Sequence, residues 1–384
     1  MPLGVQYSGM WTLAQQFQAV GAGTWKNIPQ FELYLWGQDQ QGQIGDNTAV
    51  VGRSSPVQID TGVTWSNIAG GLNFSLANKT DGTLWAWGAN PVGQLGQNDV
   101  VYKSSPVQIG TLTTWSKISA SRQNHSAAIK TDGTMWLWGQ NTYGNLGDNT
   151  VIYRSSPVQI GALTTWSLIS ASGYGCTAIK TNGTIWTWGR NTYGNLGDNT
   201  IIKRSSPVQI GALTTWSLIA NGDNHSAAIK TDGTMWLWGR NLNGQLGDNT
   251  VVYRSSPVQI GSLTTWSKIS AGANFSAAIK TDGTMWLWGR NDNGMLGDNT
   301  VIPRSSPVQI GALTTWALIS GGSSFISAIK TDGTMWLWGR NTYGQLGENL
   351  VTFRSSPIQV GTLTTWSKIA GGNDHSIAIN TTLT

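Results

Sequence analysis

One cysteine in 384 residues, Cys176, leaves no room for an internal disulfide framework, and its place among small strand residues marks it as an inert buried thiol. Charge is also scarce. Asp, Glu, Lys and Arg make up 11% of the chain, against roughly 25% in ordinary soluble domains, so solubility falls to Asn, Gln, Ser, Thr and Gly. Such a surface suits an extracellular or particle-bound protein. No run of about 18 apolar residues is present, which excludes a membrane-spanning helix. The first basic residue is Lys26, and Gln15, Gln16 and Gln18 interrupt the early apolar positions, so the N-terminus does not read as a secretion signal. There are only three histidines, His125, His225 and His375, each at the position where other repeats carry Phe74, Gly175, Phe275 or Phe325. Groups spread around a repeat and interchangeable with phenylalanine do not make a catalytic or metal site.

What is present is one phrase repeated. Trp188-Gly189, Trp238-Gly239, Trp288-Gly289 and Trp338-Gly339 are spaced by 50 residues, and Trp36-Gly37, Trp87-Gly88 and Trp138-Gly139 extend the series to seven units. Within one unit, Thr214-Thr-Trp-Ser-Leu-Ile219 and Ser226-Ala-Ala-Ile-Lys-Thr231 read as strands. Asp232-Gly233 reads as a tight hairpin turn with positive φ angles, and Thr234-Met-Trp-Leu-Trp238 returns as a third strand. A Gly- and Asn-rich connection leads to Ser255-Ser-Pro-Val-Gln-Ile260, where Pro257 implies an edge strand because it cannot donate to a ladder.

Each unit is therefore a four-stranded antiparallel sheet of the kind that stacks as a propeller blade. Residues 33–59 carry only the last two strands of a unit, and the stretch from Thr365 to Asn380 carries only the first two. The expected fold is all-β, a seven-bladed β-propeller closed by pairing of these two half-blades, over residues 31–384. The 22 tryptophans recur in register, as packing between repeated sheets requires.

Residues 1–30 stand apart as an N-terminal arm. Thr12-Leu-Ala-Gln15 matches a capping box, and Trp11, Leu13, Phe17 and Val20 mark a short amphipathic helix that either covers one end of the ring or attaches it to something else. Gly23-Thr-Trp-Lys-Asn-Ile28 is like Val63-Thr-Trp-Ser-Asn-Ile68, and so Trp25 is a candidate for an extra strand.

The combination Gly-x-x-His-Ser-x-Ala-Ile-x-x-(Asp/Asn)-Gly-x-x-Trp-x-Trp-Gly-x-Asn-x-x-Gly-x-Leu-Gly, clearest from Gly222 to Gly247, resembles the regulator of chromosome condensation repeat, found also in alpha-tubulin suppressor-like proteins. The likeness covers residues 31–380 and implies a seven-bladed propeller. The family's founder exchanges nucleotide on a small GTPase through an inserted wedge and grips chromatin with a basic extension. Neither feature is matched by these uniform units and this arm without a basic cluster. Gly9-Met-Trp-Thr-Leu with Ala22-Gly-Thr-Trp25 is similar to short segments near the ends of bacteriophage virion proteins, which implies a particle component.

Arginines recur once per unit, before Ser-Ser-Pro (Arg154, Arg204, Arg254, Arg304, Arg354) and after Trp-Gly (Arg190, Arg240, Arg290, Arg340). Part of this charge is offset by Asp148, Asp198, Asp248 and Asp298. Dealt out one per blade, they form a ring rather than the one-sided patch of a nucleic-acid reader. The repeated Gly-Asp-Asn-Thr lacks the alternating carboxylates of a calcium loop and reads as Asx turns. No nucleophile with a neighbouring base and no phosphate loop stands out, so no enzymatic activity, cofactor or metal is expected. The units differ in their loops, where Tyr102, Tyr143, Tyr153, Tyr174, Tyr193, Tyr253, Tyr343 and Phe353 are the candidate binding residues. The expectation is a non-enzymatic structural or adhesive protein in contact with other virion proteins or a host-surface receptor. The alternative is a cellular or secreted binding module, such as an inhibitor or adhesin.

Overall fold

The computed structural model describes residues 29–171 and 173–383, and all of its regular structure is β. Residues 1–28, including the proposed helix and Trp25, lie outside the described residues. Seven four-stranded antiparallel sheets follow one another. Blades 1 to 6 span residues 65–108, 115–159, 166–209, 216–259, 266–309 and 316–359. Blade 7 is built from both ends of the chain: Trp366–Gly371 and His375–Leu383 supply the two inner strands, and Pro29–Gln38 and Gly52–Ile59 the two outer ones. The seam is a continuous ladder from Pro29 opposite Leu383 to Gly37 opposite His375. Closure by half-blades is thus as expected, with the first strand beginning at Pro29, two residues ahead of the expected boundary.

Blade 4 shows the local logic. Its strands are Trp216–Asn221, His225–Lys230, Met235–Gly239 and Arg254–Gln259, within two residues of those read from the sequence. The hairpin differs from expectation: only Gly233 has positive φ (77°), while Gly233 N–H donates to Lys230 O at 2.9 Å. This is a three-residue loop with a glycine bulge, not a two-residue turn. Asp232 stays in ordinary backbone space because its carboxylate is occupied, accepting from Thr234 N–H at 2.9 Å and Thr234 Oγ1 at 2.7 Å.

The first strand of each blade touches the first strands of both neighbours, closing a ring around the axis, and Pro257 sits on an outermost strand as its missing donor requires. Between blades the core is aromatic. Trp216 meets Trp236 edge-on at 6.2 Å, and Trp238 is fully buried, its indole N–H donating to Asn195 O of the preceding blade at 3.1 Å. The same bond recurs around the ring and across the seam, where Trp36 donates to Gln345 O at 2.8 Å. Gly247 lies against the next blade's indole: its φ is +75°, and a Cβ there would sit 2.7 Å from Trp288 Nε1. That contact explains the second glycine of Gly-x-Leu-Gly. Each long connection is also clasped to the following blade, as where Asn249 N–H donates to Ser305 O and Asn349 N–H to Ser54 O, both at 2.8 Å.

Candidate binding face

In such a meander the connections between strands one and two and between strands three and four emerge at the same end, and the Asp-Gly hairpins at the other. The end carrying the long connections is the loop face. Its differences between blades are the candidate site.

At this end one side chain spans the axis. Arg122 of blade 2 reaches across it: Nε donates to Asp223 Oδ1 at 2.9 Å, while Nη1 and Nη2 lie 3.4–3.5 Å from the carbonyls of Gly321, Asn221 and Ala271 on three other blades. One guanidinium thus ties four blades together.

The histidines act between blades. Ser276 Oγ donates to Gln245 O at 2.8 Å, so it accepts from His225 Nε2–H at 2.9 Å, and the same relay joins His375 to Ser75 at 3.0 Å and Ser75 to Gln43 O at 2.9 Å. In blade 3 the thiol of Cys176 takes the serine's place, 3.4 Å from His125 Nε2. Burial pulls the imidazoles down to about 3 for His125 and His225 and about 4 for His375, and pushes the Cys176 thiol up. Neutral histidines and a protonated thiol serve here as packing groups with fixed hydrogen bonds. Among the described residues no cluster of three or more His, Cys, Asp or Glu could hold a metal ion.

The two arginine series separate sharply. Those before Ser-Ser-Pro pair within their own blades: Arg154, Arg204, Arg254 and Arg304 lie 2.7–2.8 Å from Asp148, Asp198, Asp248 and Asp298, and Arg354 lies 2.7 Å from Glu348. The aspartates close Asx turns as expected, Asp148 Oδ1 accepting from Thr150 N–H at 3.0 Å. Of the series after Trp-Gly, Arg290 pairs with Asp292 at 2.5 Å and Arg340 with Asp374 at 3.5 Å. Arg190 and Arg240 have no carboxylate partner among the described residues.

These two arginines sit among the tyrosines. The Arg190 guanidinium carbon is 5.4, 5.3 and 5.5 Å from the ring centroids of Tyr143, Tyr174 and Tyr193, and that of Arg240 is 5.5 Å from Tyr193. Tyr143 meets Tyr174 edge-on at 5.1 Å, and Tyr193 meets Tyr253 at 5.5 Å. Tyr153 hydrogen-bonds Thr142 Oγ1 through its hydroxyl at 2.8 Å. Of the eight loop aromatics expected as binding residues, four are therefore drawn into one cluster on blades 2 to 4. Tyr102 and Phe353 are exposed on other blades, and the Tyr343 ring centroid lies 6.0 Å from the Arg340 guanidinium carbon. Tyr143, Tyr174, Tyr193 and Tyr343 are half-buried rather than free, because ring edges and guanidinium faces cover them. In the sequence Arg190 and Arg240 belong to an evenly spaced ring, and their place among the tyrosines is not legible there. The available signal was the absence of any acidic residue comparable to Asp292 or Asp374 beside them.

Beside the tyrosine cluster, grooves repeat from blade to blade. One of about 480 Å³ is lined by Arg204, Leu213, Trp216, Lys230 and Trp236, but Lys230 Nζ already lies 3.8 Å from the centroid of Trp236. Its aromatic wall is occupied by the chain itself.

An RCC1-like domain model matches residues 30–267, and the regulator of chromosome condensation (RCC1) repeat matches residues 266–294, 282–329 and 332–379. The chain belongs to the RCC1-like family. This RCC1-like chain superposes on human WBSCR16 with a TM-score of 0.82 at 20% identity, covering 91% of this chain and 98% of the other. It superposes on Prp20p from Saccharomyces cerevisiae, described with its binding to Gsp1p and histones, with a TM-score of 0.83 at 19% identity over 94% and 93%. Both likenesses are of fold. In sequence it is 28% identical over 133 residues to the probable E3 ubiquitin-protein ligase HERC4 of Homo sapiens, 34% of this chain and 12% of that protein. It is 30% identical over 118 residues to the ultraviolet-B receptor UVR8 of Arabidopsis thaliana, 30% of this chain and 27% of that one. The RCC1-like chain thus matches only a small part of these longer relatives.

Proposed function

We propose that this RCC1-like ring is a non-enzymatic contact module whose working surface is the tyrosine- and arginine-bearing sector of the loop face on blades 2 to 4. The observation that carries this reading is the gathering of Tyr143, Tyr174, Tyr193 and Tyr253 around Arg190 and Arg240, in a ring whose other surface arginines are paired. Rigid aromatic and arginine side chains give large contact area at low entropic cost, and they dominate the centres of protein interfaces. In the more specific form, the module is a structural or adhesive part of a phage particle, with residues 1–28 as its attachment arm. The low charge and the Gly9-Met-Trp-Thr-Leu segment support that form. The test is sedimentation of particles from a producing culture: the chain is expected to travel with them, and to stay behind when residues 1–28 are deleted. If the full chain remains in the soluble fraction, the particle assignment fails. The second reading, a cellular or secreted binding module using the same sector, then stands.

A further inference from the structure

Among the described residues, nine of the eleven arginines have a carboxylate within 4 Å, and the remaining two are neighbours on one sector of one face. Both guanidinium carbons are 5.5 Å from the same ring, that of Tyr193, so they lie within twice that distance of each other. The nearby carboxylates are taken. Asp198 pairs with Arg204, Asp248 with Arg254 and Asp223 with Arg122. What the two arginines bond instead is neutral: Arg190 Nε donates to Thr192 Oγ1 at 3.0 Å, and Arg240 Nη1 to Asn274 Oδ1 at 3.2 Å. Arg240 Nε is buried and has no hydrogen-bond partner among the described residues. Lys203, on the same connection as Arg190, is exposed and adds a third positive charge.

Resting on the contact-module reading above, we infer that this sector takes an acidic peptide segment of a partner protein, with one carboxylate for each guanidinium. A guanidinium stacked over a ring leaves its in-plane N–H groups free at the edge, and that edge matches a carboxylate with two parallel hydrogen bonds. Side chains two apart on an extended segment share a face and are separated by roughly 6.6 Å, which falls inside the upper bound that the shared Tyr193 ring sets on the two guanidinium carbons. A sugar is disfavoured because it needs an open aromatic face. Here Tyr143, Tyr174 and Tyr193 each have the Arg190 guanidinium carbon within 5.3–5.5 Å of their centroids, and Tyr143 meets Tyr174, and Tyr193 meets Tyr253, in T-shaped pairs, which leaves no ring standing alone as a flat platform.

The experiment uses the full chain and three probes: a fluorescent ten-residue peptide of alternating Glu and Ser, its Gln-Ser counterpart, and a sulfated heparin oligosaccharide. The Glu peptide is expected to bind, to weaken as salt is raised, and to lose at least tenfold in affinity with Arg190→Gln/Arg240→Gln. Arg290→Gln/Arg340→Gln, at the same position on the next two blades but already paired with Asp292 and Asp374, is expected to leave it unchanged. Arg190→Lys/Arg240→Lys, which keeps the charge but not the fork, is expected to fall between. Absence of Glu-peptide binding, retention of it by the double glutamine variant, or tighter binding of the heparin oligosaccharide overturns the assignment. Equal melting temperatures of the variants show that folding is not what changed. Tyr143→Ala/Tyr193→Ala separates the two layers. If it abolishes association with particles while the arginine variants do not, the contact module survives and the acidic occupant is wrong; if it too has no effect, the contact sector itself is wrong.

Discussion

The hairpin end and the loop end of this ring are built from the same repeats but treat their side chains in opposite ways. At the hairpin end the blades are near copies: Asp81, Asp132, Asp232, Asp282 and Asp332 each hold the threonine two residues on, and Lys130, Lys230 and Lys330 lie 3.6–3.8 Å from the centroids of Trp136, Trp236 and Trp336. These carboxylates and ammonium groups are occupied within their own blades, while the first-strand indole N–H groups, such as Trp216 Nε1, are buried with no hydrogen-bond partner among the described residues. At the loop end the positions diverge, and two neighbouring arginines are left without a counter-charge. Repetition with internal satisfaction is what assembling a ring requires, whereas local divergence with unspent hydrogen-bonding capacity is what contact with another molecule requires. The comparison can be broken or sharpened by substitutions that separate ring assembly from surface contact.

The largest effect is expected from acid. A buried histidine held neutral has a folded-state pKa below its unfolded value of 6.5, so its contribution to stability is complete above that value. It is lost progressively as pH falls from 6.5 towards the folded values of about 3 to 4. At pH 5 each of the three costs about 2 kcal/mol, roughly 6 kcal/mol together, measurable as a fall in denaturant midpoint. Replacing all three with phenylalanine, the residue other blades carry there, should flatten the profile between pH 6.5 and 4.5. An unchanged profile would show that other groups set it.

Next comes the inter-blade aromatic core. Trp238→Ala removes a fully buried indole and its bond to Asn195 O, and should destabilise by about 3–5 kcal/mol in equilibrium unfolding. Arg122→Ala, which unties four blades at the axis but involves a partly exposed pair, should cost about 1–3 kcal/mol. Among surface charges the rim pair Arg304–Asp298 should be worth about 0–1 kcal/mol. Arg190→Gln should shift stability by less than about 0.5 kcal/mol while changing contact. A large stability loss from Arg190→Gln would erase the distinction between the two ends.

The architecture was legible because its determinants are local and repeated. Asp232-Gly233, Pro257 and the truncated first and last units predicted the hairpin, the edge strand and the closing blade without any knowledge of long-range contacts. The hairpin's detail was not, since Asp232 can either adopt a positive φ or use its carboxylate, and only the position of Thr234 decides between them. The site was legible in part. Loop tyrosines were picked out, but Tyr143, Tyr174 and Tyr193 converge on Arg190 only because adjacent blades bring separate connections side by side. Arg122 reaching blades 4, 5 and 6 follows from the diameter of the ring, which no single repeat encodes.

The seam of blade 7 has a consequence for how the molecule comes into being. Leu33 pairs with Ile59 on one side, but on its other side its ladder partner is Ile379, so the first strand of the ring waits for the last. At about 5–20 residues per second, that interval is on the order of tens of seconds. Throughout it the nascent arc carries an unsatisfied hydrogen-bonding edge, open to the corresponding strand of a sister chain on the same message. Completion of the circle is therefore also the moment at which each polypeptide ceases to be able to join with another.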